Sequence, residues 1–125
     1  MKYLKTHESF KKPTVISTAE YVAVQYEINN RLASCEISNL KGEWYVNRVK
    51  VPNGQEGKGI GSIILQKAIN EIKKHNPKSI YVTPGGYHAD EEKQFNFYKK
   101  NGFIEMEGIP ELLYYKEYDA PSDIL

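Results

Sequence analysis

A loop that contains three alternate glycines has the composition of a phosphate-binding site. Residues 51–62 read Val-Pro-Asn-Gly-Gln-Glu-Gly-Lys-Gly-Ile-Gly-Ser, between an apolar β-type segment and an amphipathic helical pattern. Gly57, Gly59 and Gly61 lack the Cβ atoms that would hold a ligand away from the backbone, so successive N–H groups are able to converge on one anion. The following helix adds unpartnered N–H groups and the positive end of its dipole. The pattern therefore predicts an anion site, with a plain strand-to-helix turn as the alternative.

The spacing of these glycines excludes the two commonest nucleotide motifs. A P-loop requires Gly, four residues and then Gly-Lys-Ser/Thr, but Gly54 lies too close to Gly57 and Lys58, and Gly59 stands where the hydroxyl belongs. The dinucleotide motif requires Gly-x-Gly-x-x-Gly and an acidic residue about twenty positions later. Here residues 73–77 read Lys-Lys-His-Asn-Pro, and the third glycine comes one residue too early. Neither motif describes this loop.

The loop resembles the acetyl-CoA loop of the GCN5-related N-acetyltransferases (the GNAT family), whose pattern is Gln/Arg-x-x-Gly-x-Gly/Ala. The matching stretch, 56–61, reads Glu-Gly-Lys-Gly-Ile-Gly. A second block at 97–103, Phe-Tyr-Lys-Lys-Asn-Gly-Phe, is similar to the family's Tyr-x-x-x-Gly-Phe segment. The resemblance extends over residues 21–118. It implies an N-acetyltransferase that transfers the acetyl group of acetyl-CoA directly to a primary amine of unknown identity, through a ternary complex.

The resemblance also implies roles for individual residues. Backbone amides from Gly57 to Ser62 would hold the pyrophosphate, and Tyr98 would be the general acid that protonates the departing thiolate. Glu43 is the candidate general base, while water, Glu27 and Glu36 stay open as alternatives. The implied acetyl-CoA contacts are Val49, Val51, Glu56, Gly57, Lys58, Gly59, Ile60, Gly61, Ser62 and Tyr98. The structural alternatives are a core tyrosine at Tyr98 and a solvated carboxylate at Glu43.

Two positions depart from the family pattern. Glu56 stands where the family prefers Gln or Arg, and a carboxylate repels a pyrophosphate unless its side chain turns outward. Glu91 lies seven positions before Tyr98, where many relatives have an Asn that contacts acetyl-CoA. The departures leave two alternatives open: a non-catalytic acetyl-CoA-binding sensor or partner-binding module on the same fold, and a small structural domain that binds another phosphate ligand or none.

Composition predicts one globular domain over residues 1–125. The chain is 40% hydrophobic and 26% charged, and its net charge of +1 gives no general attraction to nucleic acid. No apolar run is long enough to span a bilayer, and the first residues lack the hydrophobic stretch of a signal peptide, so we expect a cytoplasmic protein without membrane contact. The expected partners are acetyl-CoA and an amine, and exposed edge strands make a homodimer possible.

The titratable side chains do not have the spacing of a metal site. His7, His75 and His88 lie far apart in the sequence and far from the lone Cys35, so no bound metal is expected. Cys35 has no partner for an intramolecular disulfide, and a lone cysteine is more often a small buried apolar residue than a nucleophile.

The element order predicts an α/β (α+β) fold with a mixed central sheet, in which antiparallel N-terminal strands lead into a β-α-β crossover flanked by helices. Extended patterns at 21–28, 31–38 and 43–51 predict three antiparallel strands. Isoleucines at helical spacing predict a helix from Ile60 to Pro77, and 79–83 is the next, parallel strand. The remaining predicted elements are a short strand or loose arm within 1–20, a helix from 90 to 102, strands at 104–107 and 112–116, and a frayed tail at 120–125.

Overall fold

The computed structural model describes residues 12–55, 57–84 and 91–122 of the chain, and these form a seven-stranded mixed sheet with two helices. The strand order across the sheet is β1-β2-β3-β4-β5-β7-β6. The strands are β1 (Thr14–Ser17), β2 (Tyr21–Ile28), β3 (Arg31–Leu40), β4 (Glu43–Lys50), β5 (Ser79–Val82), β6 (Phe103–Met106) and β7 (Ile109–Tyr115), and the helices are α1 (Ile60–Lys73) and α2 (Glu91–Lys100). The predicted mixed α/β architecture is confirmed.

Strands β1 to β4 form the antiparallel half of the sheet. Asn29 and Asn30, which join β2 to β3, both have a positive φ, 52° and 65°. This conformation is that of the tight hairpin turns that match the twist of two adjacent strands, and Asn adopts it more readily than most residues. Strand β1 is the short strand expected within 1–20, while residues 1–11 lie outside the described part.

The parallel crossover β4-α1-β5 forms the centre of the molecule. Helix α1 buries one face of isoleucine, leucine and alanine side chains against β2, β3 and β4, as its apolar spacing predicts. The pairing of β4 with β5 runs only from Glu43 to Tyr45, although β4 itself continues to Lys50. Beyond Tyr45, therefore, β4 has no strand partner on its β5 side within the described residues, and the two strands diverge.

A β-bulge at Asn47 changes which side chains of β4 face the helices. Ile37 of β3 pairs with Val46 and Glu36 pairs with Arg48, so Asn47 is an extra residue. Simple alternation would place residues 49 and 51 on the face of Tyr45. The bulge reverses this, and Val49 and Val51 pack against the core beneath the helices.

The C-terminal segment differs from the expectation of a frayed tail. Asp119 N–H donates to the carbonyl of Lys78 at 3.1 Å, and Pro121 is buried. The backbone N–H and the hydroxyl of Ser122 both donate to the Glu43 carboxylate. The prediction was therefore wrong for residues 120–122, because their contacts are with Lys78 and Glu43, which lie far away in the sequence; residues 123–125 lie outside the described part. No helix among the described residues has the length and apolarity needed to cross a membrane.

Candidate active site

A cavity of about 930 Å³ opens where β4 and β5 diverge. One wall is the second half of β4, another is the loop and first turn of α1, and a third is α2. The described residues that line it are Tyr45, Val46, Asn47, Arg48, Val49, Val51, Gln55, Gly57, Gly59, Ile60, Gly61, Ser62, Val82, Thr83, Pro84, Lys93, Gln94, Asn96, Phe97, Tyr98 and Lys100. The two sequence blocks that carried the family resemblance thus meet at one cavity.

The loop end of the cavity is formed mainly by backbone. Gly57 and Gly59 both have φ +80°, a left-handed conformation that favours glycine, and a Cβ on either would meet no other atom within 4 Å. Gly59 is the N-cap of α1 and no side chain caps the helix. The first turn of α1 carries no acidic residue. Its free N–H groups and the positive dipole end therefore face the cavity, which is the geometry of an anion site.

Gly61 has a different reason to be glycine. A Cβ at this position would lie 3.1 Å from Cε1 of Phe97 on α2. The absent side chain allows α1 and α2 to approach each other, so Gly61 serves helix packing and brings the loop close to α2. The sequence pattern predicted the same anion-binding role for Gly61 as for Gly57 and Gly59, because spacing alone does not distinguish a contact with a ligand from a contact with another helix.

Tyr98 lies at the inner end of the cavity. Its ring packs edge-on against Phe97 and Phe103, with centroid distances of 5.0 and 5.4 Å, and only 5% of its surface is exposed. Burial raises the pKa of the Tyr98 phenol well above its usual range, and the ionised forms of Cys35 and Tyr45 would raise it further. The side chain therefore belongs to the core and to the cavity wall at once, and its hydroxyl stays protonated at neutral pH.

Cys35 is a buried core residue, as its sequence context predicted. It is fully buried on β3. Burial raises the pKa of its thiol to about 12, with a smaller contribution from the Glu36 carboxylate. A thiol with this pKa carries almost no thiolate at neutral pH, so it is a poor nucleophile.

Cationic side chains line the cavity and no carboxylate does so within the described residues. Lys93 and Lys100 are exposed lysines of α2 at the cavity wall, and Arg48 lies 3.5 Å from the Glu36 carboxylate. Two further lysines do not line it: Lys99 Nζ lies 2.6 Å from Glu105, and Lys58 Nζ donates at 3.4 Å to Oε1 of Gln55, which is a cavity-lining residue. Sequence reasoning missed Lys93, although its distance of seven residues from Lys100 places both on one helix face.

Glu43 does not lie in the cavity. It is the first residue of β4, and its carboxylate accepts the two hydrogen bonds of Ser122. Burial raises the pKa of Tyr81, and the Glu43 carboxylate raises it further. The structure thus brings Val49, Val51, the loop and Tyr98 together and leaves Glu43 outside.

Two hydroxyl groups join β4 and β5 at the point where the strands separate. The Tyr45 hydroxyl lies 2.8 Å from Oγ1 of Thr83, and both residues line the cavity. The rings of Tyr45 and Tyr81 pack with centroids 5.1 Å apart. These contacts lie where the pairing of the two strands ends.

Three residues named from the sequence lie outside the described part. They are Glu56, His7 and His88. Glu91 is described: it is exposed at the start of α2, and it does not line the cavity. Within the described residues, no three His, Cys, Asp or Glu side chains lie close enough to hold a metal ion.

Solved acetyltransferase structures share this architecture. PaiA N-acetyltransferase from Thermoplasma acidophilum, in complex with coenzyme A, is 19% identical over 76% of this chain and 58% of its own, with a TM-score of 0.62. An acetyltransferase of the GNAT family from Staphylococcus aureus Mu50 is 21% identical over 75% of this chain and 66% of its own, with a TM-score of 0.62. The chain has the GNAT acetyltransferase fold.

The GNAT fold also occurs in the ribosomal-protein-S18-alanine N-acetyltransferase from Escherichia coli, which is 16% identical over 87% of this chain and 77% of its own, with a TM-score of 0.62. This chain spans less than two thirds of the length of the Thermoplasma acidophilum and Staphylococcus aureus proteins. No protein-family model and no curated protein matches the sequence. The structure therefore establishes the fold, and the activity of the chain is inferred from its cavity.

Proposed function

We propose that the chain is an acetyl-CoA-dependent N-acetyltransferase that transfers the acetyl group directly to a primary amine. The observation that carries the proposal is the meeting of an uncapped helix N-terminus, a strand edge and a buried phenol in one cavity. The fold shared with acetyltransferases supports it. The sequence resemblance in the loop and in the Tyr98 block supports it independently.

The cavity suits the charge and size of acetyl-CoA. Its volume of about 930 Å³ lies within the range of sites that bury most of a cofactor-sized ligand. The N–H groups of Ile60, Gly61 and Ser62 would hold the pyrophosphate, since they begin α1 and lack helical partners. Lys93 and Lys100 would add positive charge at the open side.

The edge of β4 suits the pantetheine arm. Beyond Tyr45 this edge has no strand partner within the described residues. The two amide groups of pantetheine would pair with the backbone of Val49 and Val51 as an added strand does. With the pyrophosphate at the loop and the pantetheine arm along β4, the thioester would lie toward Tyr98. The groups would then follow one another along the cavity in the order in which they occur in acetyl-CoA.

Acetyl-CoA supplies a thioester carbonyl that an uncharged amine attacks. Tyr98 would donate its hydroxyl proton to the departing sulfur as the general acid. The Tyr98 hydroxyl is protonated at neutral pH, as an unperturbed phenol also is, so nearly every molecule carries the donor. The backbone of the bulged strand β4 is the candidate donor to the carbonyl oxygen, where negative charge develops during the attack.

The buried state of Cys35 supports direct transfer in a ternary complex. It is the only cysteine of the chain, and it is buried with a pKa near 12. A thiol that is neither exposed nor ionised is a poor acyl carrier. We therefore expect both substrates to be bound when the acetyl group moves, and the double-reciprocal plots of an amine against acetyl-CoA to intersect.

The general base predicted at Glu43 needs revision. Its carboxylate is held by Ser122 outside the cavity. We therefore propose that the acceptor amine loses its proton to solvent at the open mouth of the cavity. The rate should then rise with pH until the acceptor amine is uncharged.

Calorimetric titration of acetyl-CoA into the protein and two variants tests the site. Gly59→Asp and Gly59→Asn place side chains of the same shape at the N-cap, where a Cβ meets open space and where Asp and Asn tolerate a positive φ better than other residues. Only Asp adds a negative charge. We expect saturable binding by the wild type, a modest loss in Gly59→Asn, and a further loss of about tenfold or more in Gly59→Asp.

Release of CoA in the presence of a panel of amines separates an enzyme from a sensor. An acetyltransferase should release free thiol only when a suitable amine is added. Binding of acetyl-CoA without release for any polyamine, amino acid, aminoglycoside or peptide amine would favour the sensor. Absence of acetyl-CoA binding by folded wild-type protein would refute the proposal.

A further inference from the structure

One side of the central sheet is not covered by either of the two helices. Helix α1 packs against β2, β3 and β4, and α2 packs against β6 and β7, on the side of the common core. We call the opposite side, which carries Ser38, Tyr45 and Tyr81, the outer face. Within the described residues no helix packs on the outer face. An acceptor amine would therefore reach the thioester from this face, through the gap where β4 and β5 diverge.

The β-bulge places two consecutive polar side chains at this gap. Val46 and Val49 face the core. Asn47 and Arg48 between them are exposed and line the cavity. Nδ2 of Asn47 donates to Oγ of Ser38 at 2.7 Å, on the outer face. In a regular strand one of two consecutive side chains would point to the core, so the bulge is what brings Arg48 to the outer wall of the cavity.

The Arg48 guanidinium has one ionic partner. Its Nε lies 3.5 Å from Oε2 of Glu36, and among the described residues the side chain makes this ion pair and no hydrogen bond. Burial raises the pKa of the Tyr21 phenol, and the charge of Glu36 and a hydrogen bond to its carboxylate raise that pKa further. Tyr21 thus holds Glu36 beside Arg48. Because a guanidinium has five N–H donors, those at its terminal nitrogens stay available to a ligand.

The charges around the cavity favour an anionic group over a cationic one at this wall. Within residues 12–55, 57–84 and 91–122, no carboxylate lines the cavity, and Glu36 is not a lining residue. A second positive charge, as in a polyamine or an aminoglycoside, would therefore meet Arg48 without a carboxylate partner. A carboxylate would instead meet a planar donor that binds two oxygen atoms at once.

We propose that Arg48 binds a carboxylate of the acceptor, and that the acceptor is a primary amine with a carboxylate close to its amino group. This chemistry occurs in amino acids and in peptides with an acidic residue near the N-terminus. The inference rests on the proposed function, since it names the acceptor class of the same reaction. Arg48 would determine specificity, because it holds the acceptor and takes no part in the transfer of the acetyl group.

Two matched series of amines test the acceptor class. The first contains the tripeptide amides Ala-Asp-Ala, Ala-Asn-Ala and Ala-Lys-Ala, in which the reacting amine is the same and only a neighbouring charge changes. The second contains alanine and alaninamide, compared at equal concentrations of the uncharged amine, and represents a free amino acid. Thiol release gives kcat and KM at saturating acetyl-CoA. NMR titration of each amine into the CoA-saturated protein gives affinity without turnover.

We expect the wild type to use the Asp peptide with a kcat/KM about tenfold above that for the Asn peptide, and to use the Lys peptide least. Arg48→Gln should abolish this preference by raising the KM for the Asp peptide, and its KM for acetyl-CoA should change by less than about twofold. Arg48→Lys should keep part of the preference, since it keeps the charge without the planar fork. Lys116→Gln, which removes a charge outside the cavity lining, is the matched control.

Glu36→Gln distinguishes acceptor binding from a structural role of the ion pair. If the pair only joins β3 to β4, Glu36→Gln and Arg48→Gln should have similar effects. If Arg48 binds the acceptor, the two should act in opposite directions, and Glu36→Gln should strengthen the preference by about two- to threefold, because the guanidinium is no longer partly neutralised. The Glu36→Gln/Arg48→Gln double variant should show no preference, which would exclude repulsion by an unpaired Glu36 as the cause of the loss.

Three results would overturn the inference while leaving the proposed function intact. These are equal or better use of the neutral amine in both series, a preference that persists in Arg48→Gln, or turnover of another amine without turnover of either series. A preference in one series alone supports the inference and identifies a peptide or an amino acid as the source of the carboxylate. Failure of the wild type to bind acetyl-CoA would instead overturn the proposed function and this inference together. Since 54% of the Arg48 side chain is exposed, its variants are expected to fold.

Discussion

The two ends of the cavity differ in composition and in exposure to water. At the loop end, Gly57 and Gly59 are exposed, and the groups that face the cavity are mainly backbone N–H. At the inner end, Tyr98 is 5% exposed, and Cys35, whose ionised form would raise the Tyr98 pKa, is fully buried in the core behind the cavity lining. We call the exposed loop end at Gly57 and Gly59, which is formed by the backbone, the wet end. We call the buried end at Tyr98, which is formed by side chains, the dry end.

This difference predicts that one end of the cavity binds the ligand and the other takes part in the chemical step. An exposed backbone site binds an anion without moving any side chain, so it is suited to hold the constant part of a ligand. A buried phenol has a fixed position and a strengthened electrostatic interaction with charge that develops beside it. Changes at the wet end should therefore alter affinity, and changes at the dry end should alter the rate of the chemical step or the stability of the fold.

The largest effect is expected from Tyr98→Phe. This change removes only the hydroxyl, and loss of a general acid typically costs 10²–10⁴-fold, so we expect kcat to fall by about 10²–10³-fold. The KM for acetyl-CoA should change by less than about threefold, because the phosphates bind at the other end. Steady-state kinetics with thiol detection measures both.

Tyr118→Phe is the control for this variant. Tyr118 also packs against the core but does not line the cavity. Equal losses of kcat in both variants, or a rise in KM in Tyr98→Phe without a fall in kcat, would contradict the assignment of the dry end to the chemical step. Wild-type activity should also persist to pH 10, since burial raises the pKa of the Tyr98 phenol above its usual range.

The second prediction concerns alkaline stability of the dry end. Burial raises the pKa of Cys35 from 9.0 to about 12 in the folded chain. Between these values the unfolded thiol loses its proton and the folded one keeps it, so the free energy of unfolding falls with pH. The expected slope from this group is about 1.4 kcal/mol per pH unit, or about 2.7 kcal/mol by pH 11.

Urea denaturation at pH 8, 9, 10 and 11 measures this slope. In Cys35→Ala the part of the slope that begins near pH 9 should disappear, although the variant should be somewhat less stable at pH 8 because of the smaller side chain. Tyr98→Phe should act in the same direction at higher pH. A slope that is identical in Cys35→Ala and in the wild type would show that the inner end is not dry.

The third prediction concerns charge at the wet end. Lys100→Glu reverses a charge at the cavity wall, and we expect the KM for acetyl-CoA to rise by about tenfold. The kcat should change by less than about twofold. Lys116→Glu makes the same change of charge outside the cavity lining and serves as the control.

Salt gives a second measure of the same contrast. The KM for acetyl-CoA should increase with ionic strength in the wild type and less steeply in Lys100→Glu, because exposed charges are screened. The kcat should not depend on salt, since the Tyr98 end is buried. A kcat that follows the KM in Lys100→Glu would mean that the two ends are not separate.

The wet end was the part of the site that the sequence predicted best. Glycine spacing and the start of an amphipathic helix are local patterns, and both occur where the sequence placed them, with Gly57 and Gly59 at positive φ. The central strands were predicted for the same reason. Gly61 shows the limit of local reasoning, because its packing partner Phe97 is 36 positions away in the chain.

The dry end and its surroundings were less predictable. The bulge at Asn47 is an offset between two paired strands, so it has no signature in the sequence of either strand. It turns Val49 and Val51 toward the core, against simple alternation. The contact of Ser122 with Glu43 joins residues 79 positions apart. Such features depend on the assembled sheet, so the sequence alone did not indicate that Glu43 binds Ser122 outside the cavity.

The smallest effect is expected from Glu43→Gln, and this variant tests the boundary of the dry end. The Glu43 carboxylate accepts from the backbone N–H of Ser122 at 3.0 Å and does not line the cavity. A glutamine keeps an acceptor for this contact but is not able to take a proton. If Glu43 were the general base, kcat of the Glu43→Gln variant would fall by about 10²-fold or more.

If Glu43 instead holds the C-terminal segment, kcat should change by less than about threefold at every pH, and the midpoint of thermal unfolding should fall slightly. A pH profile of kcat for both proteins distinguishes the two roles, because loss of a base flattens the acidic limb, whereas loss of a structural contact leaves its shape unchanged.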